Sequence, residues 1–62
     1  MTITDHYRAT AQWLRDWADG YDSGLSQHRT AGEDDSKLIA HMLRHKAGNI
    51  EAVVAAHERA KP

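Results

Sequence analysis

ITDHYRATAQWLRDWADGY, residues 3–21, decides the fold class of this chain. At about 100° per residue, Ile3, Tyr7, Thr10, Ala11, Leu14, Trp17, Ala18 and Tyr21 gather on one wide arc, with Asp5, Arg8, Gln12, Arg15, Asp16 and Asp19 opposite. The segment is therefore an amphipathic helix. Thr2 followed three residues later by Asp5 has the spacing of a capping box and places the helix start at Ile3. Gly20 is the natural stop, because glycine adopts the left-handed conformation that ends many helices. Trp13 lies at the edge of the apolar arc beside His6, where a small bundle covers an indole poorly and a partner would cover it well.

Working outward, residues 20–32 hold three glycines and, among large aliphatic residues, only Leu25, and read as a loop. Thr30 and Glu33 repeat the capping-box spacing, and Glu33, Asp34 and Asp35 would suit the positive end of a second helix dipole. That helix is expected over 33–47, with Leu38, Ile39, Met42 and Leu43 as its apolar stripe and Gly48 as its stop. Asn49 is a good N-cap for a third helix over 50–60, with Ile50, Val53, Val54, His57 and Ala60 facing inward. The expectation is an all-α single domain over 1–62, a small three-helix bundle with the long first helix packed on a hairpin of helices two and three. Leu14, Trp17, Leu38, Ile39, Met42, Leu43, Ile50, Val53 and Val54 should form most of its core.

Sixty-two residues bury a smaller fraction of their surface than a larger domain does, so association with another surface would help complete the core. The chain has no cysteine, no signal-peptide pattern and no long apolar run, which makes cytoplasmic the expected location and gives no support for a membrane span. A membrane-surface role for the first helix is disfavoured, because three aspartates share its polar face with Arg8 and Arg15. A net charge of −1 supplies neither a basic field for nucleic acid nor an acidic tail.

The Gly48-Asn49 break invites comparison with a helix-turn-helix, whose second helix, here 50–60, would enter the major groove. Glu51 and Glu58 on that helix would repel phosphates, so nucleic-acid binding is the weaker alternative. His41 and His45 stand one helical turn apart and could supply half of a zinc site, but two ligands do not close a tetrahedral shell, and no metal or other cofactor is expected. His57 falls near the middle of an apolar stripe, where protonation would place charge in a poorly solvated seam, making it the candidate pH-sensitive residue. No nucleophile, base or cofactor motif has the spacing of a reaction, so neither an enzyme nor a small-molecule substrate is expected.

The function expected from these features is protein binding: a small regulator or inhibitor that occludes a partner surface, with a structural homodimer subunit as another alternative. The partner would be another protein or a second copy. Trp13, His6 and Ala9 form the first candidate contact patch, and His41 with His45 the second.

Overall fold

A computed structural model describes residues 2–60. It contains two long helices, α1 (Ile3–Ser23) and α2 (Ser36–Arg59), antiparallel to each other and joined by a connection that carries a two-residue antiparallel pair, β1 (Arg29–Thr30) and β2 (Glu33–Asp34). The three-helix bundle expected from the sequence is thus not formed. The ends of the expected 1–62 domain, residues 1, 61 and 62, lie outside the described residues.

α1 begins as its sequence dictates. The Asp5 amide donates to Thr2 Oγ1 at 3.2 Å, and the Thr2 amide donates to Asp5 Oδ2 at 3.2 Å, closing the capping box. Its end differs: the helix runs through Gly20 and stops at Gly24, whose φ of 85° is the left-handed conformation assigned above to Gly20. The Ser26 amide returns to the Gly20 carbonyl at 3.1 Å and Ser23 Oγ reaches the same oxygen at 3.2 Å, tying off the last turn.

The expected loop over 20–32 therefore divides into one turn of helix, a short coil and the strand pair. Arg29 faces Asp34 and Thr30 faces Glu33, and the two residues between the strands, Ala31 and Gly32, have φ of 53° and 84°. Positive φ at both central positions is the primed turn that matches strand twist, usually carried by Asn-Gly; alanine in the first place hides the signal. The second expected capping box is not formed. Thr30 Oγ1 donates instead to Asp35 Oδ2 at 2.8 Å, and α2 starts at Ser36 rather than residue 33.

The largest correction falls at Gly48-Asn49, where α2 continues without a break. Gly48 costs the helix about 1 kcal/mol relative to alanine, too little to interrupt a segment held along its length by packing. That packing is legible in the spacing: Ser36, Ala40, Leu43, Ala47, Ile50 and Val54 follow a four-three alternation that passes Gly48 without losing phase. Thr4, Ala11, Leu14 and Ala18 provide the matching stripe on α1. Ala11, Ala18, Ala40 and Ala47 are fully buried and Leu14, the largest buried side chain, is 9% exposed. The seam is accordingly a close approach of two helices across small side chains.

This arrangement overturns part of the expected core. Leu14 and Val54 are buried and Ile39, Leu43 and Ile50 are half-buried, but Trp17, Leu38, Met42 and Val53 are exposed. Against one partner helix rather than two, only one edge of each apolar stripe is covered.

Candidate functional site

The two helices divide the molecule into contrasting flanks. On α1, residues turned about 60–100° from the seam in one direction are Arg8, Arg15 and Asp19; on α2 the corresponding residues are Arg44, Glu51 and Glu58. They meet across the seam in ion pairs: Arg8 with Glu58, Arg15 with Glu51, and Arg44 with both Asp19 and Asp22. Arg15 Nε lies 3.2 Å from Glu51 Oε2, and Arg44 donates to Asp19 Oδ1 at 2.8 Å. The Arg15 hydrogen bond holds the Glu51 carboxyl below its ordinary range, the attraction of the guanidinium adding to it. Arg15 and Asp19, four residues apart on one face of α1, each pair across to α2.

The opposite flank carries the large apolar side chains. Helical phase brings Ile3, Tyr7, Trp13 and Trp17 of α1 to the same side as Met42, Ile50 and Val53 of α2. A groove lined by His6, Tyr7, Thr10, Lys46, Asn49, Ile50 and Val53 runs between the helices there, and a smaller one joins Ile3 and Tyr7 to Val53 and His57. Trp13 is 59% exposed, Trp17 42% and Val53 59%. By helical phase none of the carboxylates of α1 or α2 lies on this flank, and Lys46 is its one full charge.

Aromatic rings extend the flank toward the connection. The Trp13 and Trp17 centroids are 5.1 Å apart and tilted, Trp17 and Tyr21 are 6.2 Å apart, and Tyr21 meets His28 edge-on at 6.3 Å. Such contacts stiffen the row relative to isolated side chains. At its far end His28 Nδ1 lies 2.6 Å from Asp35 Oδ1, and the His28 amide donates to Ser36 Oγ at 2.8 Å. Ser36 Oγ donates to Asp34 Oδ1 at 2.6 Å and its amide to the same oxygen at 2.9 Å. Hydrogen bonds from His28 and Thr30 hold the Asp35 carboxyl low, and the two from Ser36 do the same for Asp34. The connection is thus an ordered polar clasp on the first turn of α2.

The residues singled out in the sequence are distributed unevenly over this surface. Trp13 and His6 lie on the apolar flank, but Trp17, expected in the core, lies nearer its centre than Trp13 does. Ala9 is exposed on the outer side of α1, away from α2. His41 and His45 are exposed on the outer side of α2, where they border Met42, Lys46 and Asn49. No group of three or more histidine and carboxylate side chains converges on a metal-sized site among the described residues. His57 is exposed rather than seated in the seam, so the poorly solvated environment expected for it does not arise. Residues 50–60 extend α2 and its end, so the separate recognition helix required by a helix-turn-helix is absent among the described residues.

No helix among the described residues is long and apolar enough to cross a membrane. No protein-family model, curated protein or solved structure matches this chain. The flanks therefore carry the functional argument by their own chemistry.

Proposed function

We propose that this chain is a non-catalytic protein-interaction module, a small regulator or inhibitor that acts by covering a protein surface with its apolar flank. The observation that carries this reading is the open row of Ile3, Tyr7, Trp13, Trp17, Met42 and Val53, all substantially exposed on a chain whose seam is built largely from alanines. Contiguous apolar patches beyond a few hundred Å² mark interaction surfaces on soluble proteins, and tryptophan and tyrosine are among the residues that contribute most when an interface closes over them. The ordered aromatic row supports the same reading, because rings already in contact lose little freedom on docking. Protein docking of this kind needs no cofactor and fits the cytoplasmic location expected from the cysteine-free sequence.

The test is site-specific photocrosslinking with a benzophenone side chain, placed at Trp13 on the apolar flank or at Ala52 on the far side of α2. The expected result in the native cells is a light-dependent protein adduct from position 13 and none from position 52. Equal adducts from both positions, or none from position 13, would refute docking through this flank.

A further inference from the structure

Resting on the docking reading above, we infer that the occupant of the apolar flank is a second copy of this chain, and that two hairpins close face to face into a four-helix bundle. Helical domains bury their apolar stripes between at least two packed layers, and two helices side by side make only one. The chain exposes 4664 Å² for a mass of 7.0 kDa. A folded monomer of that mass exposes about 4,000 Å² by the usual surface-to-mass relation, so several hundred Å² remain uncovered. From Ile3 to Trp17 the apolar row of α1 spans about 21 Å at 1.5 Å per residue. The excess surface is itself of the order of the roughly 800 Å² each partner contributes to a stable interface.

The charges are arranged for the same closure. A twofold contact apposes a patch to itself, so charge on the patch meets like charge. By helical phase, Asp5, Asp16, Asp19, Asp22, Glu51 and Glu58 all lie off the flank, and the inter-helix ion pairs stay on the outer surface of the bundle. Lys46 is the exception. Its four-carbon stem can lie along apolar surface with the ammonium at the rim, which tolerates the contact at some cost to affinity. The matched lengths of α1 and α2, 21 and 24 residues, let two copies overlap along their helices.

The deciding experiment is sedimentation equilibrium of the full chain over roughly a hundredfold concentration range, with circular dichroism on the same samples. The expected wild-type result is a reversible dimer. Val53→Glu and Trp17→Glu are expected to weaken it by at least about tenfold, since each places a carboxylate inside the apolar contact. Because those variants can also lose helix, Lys46→Met provides the second arm: removing two like charges from one twofold interface should tighten the dimer severalfold. An acidic foreign partner would instead bind Lys46→Met less well. A helical wild-type monomer throughout the range overturns the second-copy assignment, as does a dimer indifferent to Val53→Glu and Lys46→Met. Photocrosslinking from position 13 separates the two proposals: an adduct of two chains supports docking through the flank and this inference but overturns inhibition of another protein through it, an adduct with a different protein keeps the docking reading and overturns this one, and no adduct overturns both.

Discussion

The two flanks of the hairpin use the same helices for opposite purposes. On one flank long charged side chains reach across the seam, and Arg8, Arg15 and Arg44 each find a carboxylate on the neighbouring helix. On the other, bulky apolar side chains flank the groove between the helices and leave it open along Tyr7, Thr10, Ile50 and Val53. The difference teaches that the seam is closed by small residues and latched from one side. Most of the large apolar residues, which ordinarily supply most of a core, stay exposed on the other flank.

The sharpest way to break that comparison is to truncate one residue from the seam and one from the open flank. Leu14→Ala removes the largest buried side chain and should destabilise the fold by about 2–5 kcal/mol in urea unfolding. Trp13→Ala, assayed at a concentration where the chain is monomeric, should cost much less despite deleting a larger group. Similar losses would show that Trp13 is covered within a single hairpin.

Next in size is the spacing of the seam. Ala47→Leu adds bulk at a fully buried seam position packed with Ala11 and Leu14 and should destabilise the hairpin by about 1–3 kcal/mol. The same change at exposed Ala52 should leave the urea midpoint nearly unmoved. An indifferent response at Ala47 would mean that the helices are not held together by small side chains.

Two glycines offer a smaller and more local test. Gly48 is helical with open space where a Cβ would project, so Gly48→Ala should stabilise the protein by about 0.5–1 kcal/mol. Gly24 has left-handed φ, so Gly24→Ala should destabilise it by about 1–2 kcal/mol. Loss of stability in Gly48→Ala would argue that α2 is interrupted after all, as the sequence alone suggests. That variant therefore tests the largest correction made by the fold.

The smallest effect is expected in the polar clasp and the ion-pair flank. Asp34, Asp35 and Glu51 are held below their ordinary pKa by hydrogen bonds from Ser36, from His28 and Thr30, and from Arg15 respectively. A carboxyl depressed in the folded state contributes stability that is full above its unfolded pKa, near 4, and is lost as pH falls through the folded value. Melting temperature should consequently fall as pH is lowered below about 4, and Asp35→Asn should flatten part of that fall. A profile unchanged by Asp35→Asn would remove the clasp from the acid response.

The helical character, the start of α1 and the apolar arc of α1 were legible in the sequence, because they follow from local spacing. The Thr2–Asp5 cap needs only four residues of chain, and the phase of Ile3, Tyr7 and Trp17 follows from helix geometry. Of the candidate site, Trp13 and His6 share the apolar flank, but the central position of Trp17 and Val53 was hidden by the assumption that large apolar residues face inward. The continuity of α2 was present in the spacing of Leu43, Ala47, Ile50 and Val54, yet the local stop signal of Gly48 points the other way. Likewise the turn at Ala31-Gly32 lacks the asparagine that usually announces it.

The sequence by itself determined that the chain is built from amphipathic helices and that the first carries a wide apolar arc, but it divided the second helix into two at Gly48. Only the tertiary structure decided which edge of each arc entered the seam. That choice depends on how closely two backbones can approach: Ala11, Ala18, Ala40 and Ala47 permit a close contact that indoles would prevent, while the arginines latch one side. Periodicity along one helix specifies a direction for every side chain, but burial depends on what stands opposite.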